Sequence, residues 1–200
     1  MQYRHFFPVL LLLAATTGAP AFRAPPTPEE MAELTRQIAD DPGNSRNLQY
    51  RGLNYAILGE KDKAIADYKA AEKLTADKAY LYWSLGWALL DLGDYASALQ
   101  MWQAAATLYE RRASNEDSLH DANADMHWVP YTFAMAYWGE GNRSEAFQYF
   151  TISAKQYPAF RNRTNFESFT DHWTQKEQAM GLQLFDAWQK EVDKPGSHLW

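Results

Sequence analysis

Small and apolar positions recur along this chain at two scales. Within segments they return every three or four residues, the period of a helix that buries one face. Between segments they return at a fixed offset of thirty-four residues, so that Gly52 falls on Gly86, Gly59 on Gly93, Ala64 on Ala98, Tyr68 on Trp102 and Ala71 on Ala105. Small residues meeting small ones and aromatics meeting aromatics at this period indicate stacked helix–turn–helix units. A third copy follows an insertion and carries Ala134, Tyr137, Gly141, Ala146, Phe150, Ser153 and Pro158 at the same relative spacings. Ahead of the first copy, Leu34 stands one period before Tyr68, and Pro42 holds the helix-ending place that Pro158 takes later.

The spacing has a physical reason. Gly52, Gly86 and Ala134 on one helix, with Ala64, Ala98 and Ala146 on the next, allow two backbones to approach closely. Tyr55, Leu89 and Tyr137, with Tyr68, Trp102 and Phe150, fill the space around that contact. Gly59, Gly93 and Gly141 suit a left-handed residue closing a helix. Asp94 and Asn142 follow directly and are expected to cap the next helix, with Glu60 the weaker equivalent. Each unit leaves an apolar face that only its neighbour buries, so the units stack.

The ends carry their own signals. Thr27 with Glu30 is a capping-box pattern and Pro28 suits the first helical position, predicting a lone helix over 28–40. Residues 22–27 are Pro-rich and read as a flexible stub. Towards the C-terminus, Phe166, Phe169 and Trp173 recur at helical spacing, Thr174 with Glu177 is a second capping box, and Met180, Leu184, Phe185, Trp188 and Val192 form an amphipathic stripe. A short helix and then a longer one are expected to close the stack, with residues 194–200 fraying.

The alternation of small and aromatic residues over 28–158 resembles the tetratricopeptide repeat (TPR) family. The resemblance implies an all-α fold: a short right-handed solenoid of antiparallel helix pairs, with an N-terminal single helix and C-terminal capping helices. It divides the chain into a half repeat at 28–42, repeats at about 45–78, 79–112 and 127–160, an insertion at 113–126, capping helices at 161–193 and a tail at 194–200. Members bind protein segments along a concave wall lined by each first helix. The matching positions are Arg46, Gln49, Leu53 and Ala56 in the first copy, Tyr80, Trp83, Trp87 and Leu90 in the second, and Trp128, Tyr131, Met135 and Trp138 in the third. The last eight are the candidate partner-binding residues, because large rigid rings dominate binding hot spots. Such a stripe is equally the signature of core, and the C-terminal helices are long enough to fold over it. Members that clamp a terminal carboxylate use cations at positions held here by Gln49, Leu53, Ser84, Trp128 and Thr132; none is a cation, which argues against that use.

Composition narrows the picture. The chain has 8 Trp, 12 Tyr and 10 Phe, a net charge of -6 and no cysteine. Aromatic richness favours a packed chain, and mild acidity without basic clusters argues against nucleic acid. The absence of cysteine excludes disulfides and thiolate zinc sites. Arg4 and His5, the apolar run Phe6–Ala15 and the small residues Ala19-Pro20-Ala21 have the parts of a secretory leader, with cleavage expected after Ala21. The run is short for a membrane span, so no stable membrane insertion is expected after cleavage, and a periplasmic or secreted location follows. The insertion carries Glu116, Asp117, Asp121 and Asp125 flanked by His120 and His127; the spacing fits no calcium loop and reads as a solvated segment. His172, beside Asp171, has no nucleophile to serve and is expected to be partly buried in the cap. No catalytic motif and no cofactor signature is present. The sequence therefore predicts an exported, non-catalytic module that binds a protein or peptide. An immunity-type inhibitor of a toxin or envelope hydrolase, or a subunit of an envelope or secretion assembly, is the alternative.

Overall fold

The computed structural model describes residues 23–115 and 126–199. The expected leader and most of the acidic insertion lie outside the described residues. Every regular element described is helical. Helix α1 spans Pro28–Asp40, α2 Ser45–Ile57, α3 Lys61–Leu74, α4 Lys78–Asp91, α5 Tyr95–Asn115, α6 Val129–Gly139 and α7 Arg143–Gln156. A 3-10 turn over Pro158–Arg161 leads to α8, Arg163–Phe169, and α9, Gln175–Val192. Helices α2 with α3, α4 with α5, and α6 with α7 pack as adjacent pairs, and α2 on α4 and α5 on α6 join one pair to the next. The result is an all-α solenoid of TPR type.

Local chemistry fixes these boundaries. Each pair turns on a glycine with positive φ, at 76° for Gly59, 77° for Gly93 and 81° for Gly141. Asn142 Oδ1 accepts the amide of Glu145 at 3.3 Å and Asp94 Oδ1 that of Ser97 at 3.4 Å, whereas Glu60 makes no side-chain cap. Both capping boxes are present. Thr27 N–H donates to Glu30 at 2.7 Å, and Thr174 N–H donates to Glu177 at 2.6 Å. Pro130 lies in the first turn of α6, where its missing N–H costs nothing.

Within pairs, the small residues act as spacers. Ala64, Ala98 and Ala146 are fully buried, as are Trp102 and Phe150. Trp102 lies directly over Gly86 and donates its indole N–H to the carbonyl of Trp83 at 3.1 Å. On the first pair, Arg51 grips Asp67 through two bonds of 2.7 Å and reaches Thr35 on α1 at 3.2 Å, so one guanidinium joins three helices. The C-terminal helix α9 packs on α4, α6 and α7. Its Trp188 ring stands 4.9 Å from Phe150 and its indole N–H donates to Thr151 at 2.9 Å.

A methyl group added at Gly86 would overlap the buried indole of Trp102, which has no free space to move into. Gly86→Ala is therefore expected to destabilise the chain by about 1–3 kcal/mol despite the better helix propensity of Ala. Urea unfolding followed by far-UV circular dichroism checks this; unchanged stability would contradict the close approach.

Candidate functional site

The concave wall is built by the first helix of each pair, α2, α4 and α6. The aromatic groove expected there is open at one end and filled at the other. Trp87, Leu90, Trp128, Tyr131 and Met135 are buried, with Met135 only 1% exposed. The C-terminal segment covers Trp87 and Tyr131. Trp173, just ahead of α9, sets its ring 5.2 Å from Trp87 and 5.9 Å from Tyr131. Phe169 of α8 lies 5.7 Å from Tyr131, and Phe160 of the 3-10 turn 6.2 Å. Trp128 packs edge-on to Tyr109 of α5 at 6.1 Å. Of the two alternatives left by the sequence, an open stripe or one covered by the C-terminal helices, the second holds at Trp87 and Tyr131. These rings form one contiguous cluster with Phe150, Phe166 and Trp188, and their apolar area leaves water by meeting the cap.

Three of the eight candidate residues keep accessible surface: Tyr80, Trp83 and Trp138. Trp138 stands apart from the other two, with the guanidinium of Arg143 3.4 Å above its ring. Tyr80 and Trp83 lie together, ring centroids 5.4 Å apart, and the Arg46 guanidinium of α2 sits 3.8 Å over the Tyr80 ring. Leu53 and Gln49 of α2 complete this open end. Gln49 is 2% exposed. Its Oε1 and the indole nitrogen of Trp83 are withdrawn from solvent with no hydrogen-bond partner among the described residues. One acceptor and one donor on the groove helices are therefore unspent, and buried polar groups of this kind seek partners.

At the end of α4, beyond the buried Trp87 and Leu90, the structure gathers polar groups that the sequence did not bring together. Asp91 at the end of α4 and Glu177 in the first turn of α9 are both buried. Thr174 joins them. Its hydroxyl bonds Asp91 Oδ1 at 3.2 Å, and its amide bonds Glu177. Lys176 Nζ donates to the backbone carbonyl of Asp91. Arg23, ahead of α1, comes to the same place. The amide of Arg23 donates to the Trp173 carbonyl at 3.0 Å and its guanidinium to Asn54 of α2 at 3.2 Å. Residue 23, expected to belong to a flexible stub, is pinned at both backbone and side chain. Burial pushes both carboxyls up, Asp91 to about 6 and Glu177 to about 7, and the charge of Asp91 adds to the rise at Glu177. The positive charge of Arg23 pulls in the opposite direction on both.

The Thr174–Glu177 capping box was visible in the sequence, but its burial was not. Asp91 had one signal: it is the only acid in α4 and ends the apolar run Ala88-Leu89-Leu90. His172, expected to be partly buried, is exposed, with its imidazole 3.6 Å from Asp171. The candidate cation ligands Glu116, Asp117, His120, Asp121 and Asp125 lie outside the described residues.

Because the folded chain binds protons at this pair more tightly than the unfolded chain, the pair favours folding most at low pH. That contribution falls as pH rises from about 4.5, the ordinary value for Glu, towards about 7. Glu177→Gln keeps an acceptor for the Thr174 amide and removes the charge. Relative to wild type it is expected to gain stability by about 1–3 kcal/mol between pH 4.5 and 7.5. Denaturant titrations of both proteins across this range check the sign; a difference independent of pH would contradict it.

Residues 52–93, from the middle of α2 to the turn after α4, match the family model described as TPR repeat. No curated protein and no solved structure matches the chain. The matched stretch contains one complete second helix, α3, between two groove-lining first helices, which is the unit expected from the thirty-four-residue period. The family match and the paired helical architecture together support a TPR-family protein.

Proposed function

We propose that this chain is an exported, non-catalytic interaction module that binds an extended segment of another protein at the open end of its concave groove. A TPR repeat suggests a protein partner, and the match over 52–93 coincides with that end. The observation that carries the reading is the accessible pair of rings Tyr80 and Trp83, 5.4 Å apart, with the exposed Arg46 guanidinium 3.8 Å over Tyr80. Aromatic rings supply rigid contact area at low entropic cost. Trp138, farther along the wall, is a secondary contact. Among the described residues, no helix is long and apolar enough to cross a membrane. The leader-like pattern over residues 4–21 supports export to the periplasm or exterior.

Arg46, Tyr80 and Trp83 are expected to carry affinity, whereas the buried Trp87 and Tyr131 act by holding the cap. Pull-down from an envelope extract with the wild type and with Tyr80→Ala/Trp83→Ala, read by mass spectrometry, tests this. A protein retained by the wild type and reduced about tenfold or more by the double variant, with helicity intact, is the expected result. Identical sets of retained proteins would overturn the assignment of the open end.

A further inference from the structure

The meeting point of α2, α4 and α9 has the features of a recognition slot whose occupant, Arg23, is held by one backbone and one side-chain hydrogen bond. Arg23 reaches it as a short piece of extended chain, bridging to Thr174 in parallel fashion through a single rung. Its backbone contact is the kind by which an added strand is recognised: an amide on a carbonyl, independent of side-chain identity. Its side chain supplies the specificity. A guanidinium carries five N–H donors. The Arg23 side chain spends one on Asn54 Oδ1, and no direct ion pair joins it to either buried acid. Asp91 meanwhile is 9% exposed and leaves its Oδ2 without a hydrogen-bond partner. The slot thus holds a buried carboxylate oxygen in want of a donor and a nearby cation with donors in surplus.

The charged and titratable groups around it come from every neighbouring element. They are Asp91 from α4, Lys176 and Glu177 from α9, and the Tyr68 hydroxyl from α3, which is itself engaged with Ser84 at 2.8 Å. Two acids face one lysine, whose Nζ is already committed to the Asp91 carbonyl, so the slot favours a further cation. Among the described residues, no further hydrogen bond or ion pair holds Arg23. Between Arg23 and the helix cap at Thr27, Ala24 and Pro25 are exposed.

We propose that this slot is a recognition site for an arginine on an extended segment of a partner protein, and that residues 23–27 are the chain's own occupant, displaced when the partner binds. The proposal rests on the protein-binding reading given above and extends it by naming the side chain recognised. A guanidinium seated deeper than that of Arg23 would supply Asp91 Oδ2 with its missing donor as a charge-assisted bond, which gives an incoming segment its advantage. Asn54 and Asp91 lie near the C-terminal ends of α2 and α4, whereas Tyr80 and Trp83 lie near the start of α4, roughly 12–17 Å from Asp91 along the helix. An extended segment of about five residues spans that distance and joins the two.

The test uses a fluorescein-labelled peptide of the chain's own residues 23–29, Arg-Ala-Pro-Pro-Thr-Pro-Glu, whose side chains sum to zero charge. It is titrated by fluorescence polarisation onto the full chain as wild type, Arg23→Ala and Arg23→Ala/Asp91→Asn. The peptide is expected to bind Arg23→Ala about tenfold more tightly than wild type, and to lose about tenfold on adding Asp91→Asn. The same peptide with its arginine replaced by alanine should not bind. Arg23→Lys keeps a cation beside the buried acids but loses the planar guanidinium fork, and it leaves Asn54 and Asp91 for the peptide, so it should also bind the peptide more tightly than wild type does; this keeps the test decisive if Arg23→Ala folds poorly. Equal binding to wild type and both opened variants, or binding of the alanine peptide as strong as that of the arginine peptide, would overturn the proposal. If the peptide shows the expected ranking but the pull-down finds no partner, the slot stands and the broader reading falls; the reverse pattern removes the slot alone.

Discussion

Trp173 is the contact on which the inner surface of this solenoid depends. Its ring meets Trp87 of the second repeat and Tyr131 of the third, and also Phe166 and Phe169 of the cap. A repeat array leaves its concave wall facing water, and a wall as aromatic as α4 and α6 is too apolar to be left so over its full length. The cap resolves this by folding back. Phe160, Phe169 and Trp173 enter the groove, while Phe185 and Trp188 of α9 pack on Phe150 behind it. The same turn of chain that delivers Trp173 continues into Thr174 and Glu177. Burying the aromatic seam therefore brings a carboxylate against Asp91.

The division of the groove follows from that geometry. The cap reaches α4 and α6 but leaves the first repeat and the start of α4 uncovered, so Arg46, Tyr80 and Trp83 remain accessible. At the end of α4, desolvation raises two carboxyls towards neutrality, and one arginine from the N-terminal segment offsets part of the cost. Packing, ionisation and the position of Arg23 are thereby coupled. A change at Arg23 or Glu177 should be felt at the groove, whereas a change at an exposed ion pair such as Arg36 with Glu33 should not.

The sequence revealed most of the fold because local chemistry decides it. The offset of Gly86 from Gly52, the positive-φ turns at Gly93 and Gly141, and the boxes Thr27–Glu30 and Thr174–Glu177 each act within one helix or between neighbours. The site was legible only in part. Tyr80, Trp83, Trp87 and Tyr131 share one periodic stripe, and periodicity says that a face is apolar without saying what covers it. Coverage depends on contacts such as Trp87 with Trp173, eighty-six residues apart in the sequence, and no repeat rule governs the chain after Pro158. The Arg23–Asp91–Glu177 group depends on the same closure, since its members come from three distant stretches brought together only when the cap docks. Arg23 itself sits in a Pro-rich stretch whose composition suggests disorder, and its anchoring is a tertiary effect.

The central claim is that the cap and the second and third repeats form one cooperative unit around Trp173. Native-state hydrogen exchange read amide by amide tests it most directly. The account predicts that the most protected amides of α4, α6 and α9 open with the same free energy, within about 0.5 kcal/mol, and with the same dependence on denaturant, because they open only by global unfolding. Exchange of α9 at an opening free energy about 2 kcal/mol or more below that of α4 and α6 would contradict it, and would mean that the cap lifts from the groove while the repeats remain folded.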